Sequence, residues 1–152
     1  MFKNIRLKLL TLFTVLVSFT LVGCSEEEIE RTQPAGIPSI IEEAIIEKTN
    51  GIDIKDITIN PFLGEGAKEG DKIALIHLKW GVSNSAETTR KMLEMYGARI
   101  IFALESESEI KEAVIFWEVP YHAKGMNSAK FNYERRGDGF YTNGEWYAPV
   151  LR

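Results

Sequence analysis

The sequence predicts an α+β domain with two helices packed on one face of a mostly antiparallel sheet of about five strands. Three observations carry that expectation. Helical apolar spacing occurs twice, near residues 39–50 and 84–97, while strand-like runs occupy 52–59, 72–80, 98–105, 109–120 and the aromatic last third. The order is helix, two strands, helix, then three or four strands, which does not force a doubly wound parallel sheet. Roughly 115 residues follow Pro38, enough for one core.

The first helix is predicted over "SIIEEAIIEKTNG", where Ser39 and Glu42 stand at capping-box spacing and Asn50–Gly51 supplies the stop. Ile41, Ala44, Ile45 and Lys48 share a face, with Ile40 beside it. "IDIKDITI" alternates, but its apolar phase shifts between Ile54 and Ile57, which predicts a bulge or a bent strand. "NPFLGEGAKEGD" is a Gly-rich connection without the Gly-Lys-Ser/Thr ending of a phosphate loop, so it reads as a turn. "KIALIHLKW" predicts a strand with Ala74, Ile76, Leu78 and Trp80 on one face and Ile73, Leu75 and His77 on the other.

The second helix is predicted over "SNSAETTRKMLEMYG", with Asn84 and Glu87 at cap spacing and Gly97 as terminator. Met92, Leu93, Met95 and Tyr96 form its expected apolar side. "ARIIFALE" and "EIKEAVIFWEVP" then read as two strands of a hairpin closed by "SESE". "AKFNYERRGDGFYTNGEWYAP" reads as short strands with Gly-Asp-Gly and Asn-Gly turns.

The N-terminal segment obeys a different logic. Lys3, Arg6 and Lys8 precede an uncharged run from Leu9 to Val22, shorter than the ~20 apolar residues needed to span a bilayer. A basic start, a short apolar run and small residues at its end are the pattern of a secretory signal peptide, with an uncleaved membrane anchor as the alternative. The run closes on Leu21-Val22-Gly23-Cys24, and Cys24 is the only cysteine, so no internal disulfide can form.

Leu21-Val22-Gly23-Cys24 resembles the lipobox of bacterial lipoproteins. The resemblance covers the targeting segment alone. It implies a diacylglyceryl thioether on Cys24 and cleavage between Gly23 and Cys24, hence a cell-membrane, lipid-anchored protein on the extracytoplasmic face. Two or more acyl chains, at ~0.8 kcal/mol per buried CH₂, anchor a protein stably where one does so marginally. By the same resemblance, Ser25 would permit outer-membrane sorting in a Gram-negative envelope; the Ile/Lys/Glu-rich composition favours a Gram-positive host.

The expected organisation is a signal peptide over 1–23, an acidic tether over 24–38 and one domain over 39–152. "SEEEIERTQPAGIP" has four glutamates, two prolines and no periodicity, the composition of a solvated tether. With the three early basic residues removed, 15 Lys+Arg remain against 22 Asp+Glu, a net of −7. That balance repels a phosphate backbone, and no basic stripe reverses it locally, so nucleic-acid binding is excluded.

Chemistry is sparse. His77 lies mid-strand among aliphatics, and His122 follows a strand end in "PYHAKG". Glu118 and His122, four residues apart on extended chain, sit ~13 Å from each other unless the Pro120 region turns back. Neither His-x-x-x-His spacing nor a cysteine pair is present, so no metal or cofactor is expected. No Gly-x-Ser-x-Gly elbow occurs, and no catalytic residue is expected. "RGD" at Arg136–Asp138 already has a turn explanation.

Aromatic residues concentrate towards the C-terminus, and an exposed surplus would mark an interface, since Tyr and Trp suit such surfaces. The candidate interaction residues are Trp117, Tyr121, His122, Tyr133 and Trp146. The function these features favour is a membrane-anchored binding or interaction module for an envelope or protein partner. The alternatives are a small envelope hydrolase using Glu118 and His122, and a structural lipoprotein with no ligand pocket.

Overall fold

Every second side chain from Ala74 to Trp80 is buried, and the sheet is built outward from this strand. A computed structural model describes residues 36–46 and 51–152. It contains helices α1 (Ile37–Ile46) and α2 (Ala86–Ala103), and strands β1 (Ile52–Pro61), β2 (Lys72–Trp80), β3 (Ile110–Glu118), β4 (Asn127–Arg136) and β5 (Gly139–Tyr147). A 3-10 turn, Pro149–Leu151, closes the chain. The strands lie in the order β1-β2-β3-β4-β5. All neighbours are antiparallel except β2 and β3, which are parallel. This is the α+β architecture expected: two helices and a largely antiparallel five-stranded sheet.

The register assigns each side chain to a face. Ala74, Ile76 and Leu78 pair with Ala113, Ile115 and Trp117, which pair in turn with Tyr133, Phe131 and Ala129. These residues pack with Ile41 and Ile45 of α1 and with Leu93, Ile100 and Ile101 of α2. On β1 the register shifts between Ile54 and Asp56, leaving Lys55 as an extra residue. The bulge the apolar phase predicted thus restores Ile57 and Ile59 to the face of Ile52 and Ile54.

Four local expectations are corrected. Helix α1 begins at Ile37, two residues inside the stretch read as tether, because Ile37 is buried in the core and Pro38 is tolerated in a first turn, where its missing N–H has no partner to lose. Ser39 therefore lies inside the helix, not at its cap. Lys48 and Asn50 lie outside the described residues. The cap of α2 is Ser85, not Asn84: the Ser85 hydroxyl accepts the Thr88 N–H at 3.2 Å.

The third correction is the largest. Gly97 does not end α2; it sits mid-helix, where a Cβ would stand 2.8 Å from the Tyr133 hydroxyl and 3.2 Å from the Phe131 ring. Leu93, Gly97, Ile100, Ile101 and Leu104 form one buried stripe at helical spacing, while Met95 lies off it, 38% exposed. "ARIIFALE" is thus mainly helix, and "SESE" connects α2 to β3 rather than closing a hairpin. The resulting β2-α2-β3 crossover is what makes β2 and β3 parallel. Finally, Asn143–Gly144 is no turn: the register jumps from Phe131↔Glu145 to Tyr133↔Thr142, and Gly144 takes φ +135°, a bulge within β5.

Candidate functional site

The helices cover one face of the sheet; among the described residues no helix covers the other. Alternation along each strand decides what that open face shows. Across the strands, Asp56, His77, Phe116, Lys130 and Trp146 are successive neighbours. The adjoining row brings Thr58, Leu75, Val114 and Asn132 together. The His77 ring stacks on Phe116 at 4.4 Å and 7°. Lys130 Nζ stands 5.6 Å from the Phe116 ring centre, a cation–π distance. On β5 the same face carries Tyr141, 56% exposed, and Trp146, 44% exposed.

One end of this face is tied by charge. Lys79 pairs with Asp53 at 2.9 Å, and Lys55, the bulge residue, reaches across β2 to Glu118 at 2.5 Å. The other Glu118 oxygen accepts the Gly125 N–H at 3.0 Å, which fixes the loop leaving β3. The Lys55 ammonium and then the Gly125 N–H hold the Glu118 carboxyl below its ordinary range, against a smaller opposing effect of burial. Asp53 raises Lys79 in the same way.

Glu118 and His122 are not joined by a contact. The Glu118 carboxylate belongs to the ion cluster on the open face. His122 tilts against Tyr121 at 4.4 Å, and Tyr121 hydroxyl bonds Thr89 of α2 on the helical side. The His122 backbone N–H bonds the Val119 carbonyl, and its buried Nε2 has no hydrogen-bond partner among the described residues. Nothing in this geometry lines a reacting bond between acid and imidazole.

The other candidates divide cleanly. Trp117 is fully buried on the helical face, and Tyr133 is buried over Gly97, where desolvation pushes its phenol well above the usual range. Both are core residues, not surface ones, because they share the phase of Ile115 and Phe131. Trp146 alone among the five is exposed on the open face. Gly23 and Cys24 lie outside the described residues. Four residues that the expectation did not name as interaction residues, His77, Phe116, Lys130 and Tyr141, share this face with Trp146. For His77, Phe116 and Lys130 the signal was strand phase: each alternates with buried residues.

The RGD tripeptide sits at the β4–β5 turn, with Arg136 paired to Glu134 at 3.0 Å. The residue before it is structurally more important. Arg135 donates to the carbonyls of Ile110, Glu105, Asp138, Leu104 and Glu107, and its guanidinium lies 4.3 Å from the Phe140 ring centre.

Two cavities, of about 200 and 230 Å³, lie beside the β1–β2 loop, and neither is lined by Glu118 or His122. Among the described residues no three His, Cys, Asp or Glu side chains gather to hold a metal, and no helix is long and apolar enough to cross a membrane. No protein-family model, curated protein or solved structure matches the chain.

Proposed function

We propose that the protein is a lipid-anchored extracytoplasmic lipoprotein whose α+β domain is a binding module for an envelope or protein partner. Cleavage between Gly23 and Cys24 and acylation of the Cys24 sulfur would supply the anchor. The observation that carries the binding role is the open sheet face. An antiparallel sheet facing water ordinarily presents polar side chains there. This one presents Leu75, Phe116 and His77, each partly exposed, flanked by exposed Trp146 and Tyr141. An apolar, aromatic patch with a rim of charges is the composition of an interaction surface. A purely structural lipoprotein would have no use for it, and the separate surroundings of Glu118 and His122 lend the hydrolase no support.

The test has two readouts on the membrane-extracted full chain. Intact mass of the wild type beside Cys24→Ala should show an acylated mature protein beginning at Cys24, and no acyl mass in the variant. A photo-crosslinker at position 146 should trap a partner in the envelope, whereas one at position 95, exposed on α2, should not. An unprocessed Met1 terminus in both proteins removes the lipoprotein reading. Equal trapping from 146 and 95 removes the open face as the binding surface.

A further inference from the structure

We propose that the open sheet face docks on a second copy of this chain, face to face about a two-fold axis running along β3. The proposal rests on reading that face as an interaction surface and names its occupant. Area supports it. Five strands about 4.8 Å apart, some nine residues long at about 3.3 Å each, cover roughly 700 Å². Stable protein interfaces bury about 800 Å² per partner. A single five-stranded face is therefore near the required size without any additional element.

Charge supports it more sharply. Ion pairs within the face neutralise Asp53 with Lys79, Lys55 with Glu118, and Glu134 with Arg136. Among the described residues of this face, Lys130, Asp56 and Glu112 have no ion-pair partner: Lys130 stands over the Phe116 ring, Asp56 accepts the Thr58 hydroxyl at 2.7 Å, and Glu112 lies at the far end of β3, four residues from Phe116. The first two lie in one row, Lys130 on β4 and Asp56 on β1, on either side of β3. A two-fold along β3 lays β4 of one copy over β2 of the other. Lys130 then stands above the partner's His77, one strand from the partner's Asp56, and the symmetry makes the contact twice. Phe116 meets its own counterpart on the axis. Such self-complementarity is what an isologous interface requires.

The apolar centre argues in the same direction. Leu75 and Phe116 stay partly exposed around the already buried Val114, and a second sheet stacked about 10 Å away would bury both by ordinary sheet-on-sheet packing. A glycan could stack on Trp146 and Tyr141, but it would leave Leu75 and Phe116 without apolar cover.

The experiment is sedimentation of the full-length protein in density-matched detergent, with four proteins compared: wild type, Asp56→Lys, Lys130→Glu and the double variant. The wild type should sediment as a dimer. Each single reversal should weaken dimerisation by about tenfold or more, because a like-charge contact then occurs twice. The double variant restores opposite charges and should recover the dimer, which a variant that had merely misfolded would not do. A wild type that stays monomeric, or a dimer indifferent to all three variants, overturns the proposal. A monomer that still traps an envelope partner from position 146 overturns the self-pairing alone; a monomer that traps nothing overturns the binding-face reading as well.

Discussion

Arg135 and Arg136 are adjacent in sequence, yet their replacement should have very different effects. Arg135 makes five hydrogen bonds: Nε to Ile110 O at 2.7 Å, one terminal nitrogen to Glu105 O and Asp138 O at 3.2 and 3.3 Å, and the other to Leu104 O and Glu107 O at 2.8 and 3.0 Å. The acceptors lie just past the C-terminus of α2, along the connector, at the start of β3 and in the β4–β5 turn. The end of a helix leaves carbonyls without partners, and a cation there also complements the helix dipole. Arg135→Met keeps an apolar stem over Phe140 and removes the whole fork. Each bond contributes about 0.5–1.5 kcal/mol net, and water can reach the carbonyls on the solvent side, so the loss should be about 3 kcal/mol. For a domain of this size 1 kcal/mol moves Tm by roughly 4 °C, so Arg135→Met should melt about 12 °C lower. Arg136→Met breaks only an exposed pair with Glu134 and should stay within about 0.5 kcal/mol of wild type. Arg135→Lys keeps the charge but not the planar fork, and should recover less than half of the loss. Urea unfolding and thermal melts of the three variants decide the matter. An Arg135→Met protein within about 1 kcal/mol of wild type would refute the clasp.

Three further outcomes follow from the same structure. Gly97→Ala gains about 1 kcal/mol of helix propensity but drives a Cβ to 2.8 Å from the Tyr133 hydroxyl; with overpacking at about 1–3 kcal/mol the variant should be less stable by about 1 kcal/mol, and a raised Tm would show that the helix has room to move off β4. The Glu118 carboxyl is depressed below its ordinary 4.5, so its contribution is present above that value and is lost as pH falls through the folded-state pKa. Urea midpoints followed into the acid range should therefore fall less steeply for Glu118→Gln than for wild type, and parallel curves would show that the Lys55 pair is not linked to folding. Trp117→Ala, in the core, should lose about 4 kcal/mol, whereas Trp146→Ala, exposed on edge strand β5, should change unfolding by under about 0.5 kcal/mol; similar losses at both sites would contradict the face assignment.

What could be read in the sequence followed from how far each signal was local. The alternation of Lys72–Trp80 assigned seven of its side chains to faces, and the phase shift between Ile54 and Ile57 located a bulge, because both are properties of one strand. Gly97 misled for the opposite reason. A glycine after an amphipathic run ordinarily marks a helix end, and "RIIF" has strand-like composition. The helix continues because Gly97 is where α2 closes on Tyr133 and Phe131, residues more than thirty positions away. Spacing did carry a hint, since Leu93, Ile100, Ile101 and Leu104 keep one helical stripe across the glycine. Asn143–Gly144 misled similarly: the same left-handed preference serves a hairpin turn or a bulge, and only the partner strand decides between them.

That one misplaced boundary also hid the site. A strand in place of α2's second half allows a continuous antiparallel meander, in which neither face of β3 is committed to a helix. Once α2 runs to Ala103, β3 must return parallel to β2, and α2 fixes the face that Ala74, Ile76 and Leu78 share with Ala113, Ile115 and Trp117. Trp117 then goes inward and Phe116 outward, with His77 of β2 directly beside it. The largest aromatic of "FWE" is therefore core, and the smaller neighbour becomes part of the surface. Residue type alone favours Trp and Tyr as interface residues, but in a sheet the phase comes first: it turned Trp117 and Tyr133 inward and left His77, Phe116 and Lys130 on the face without a helix.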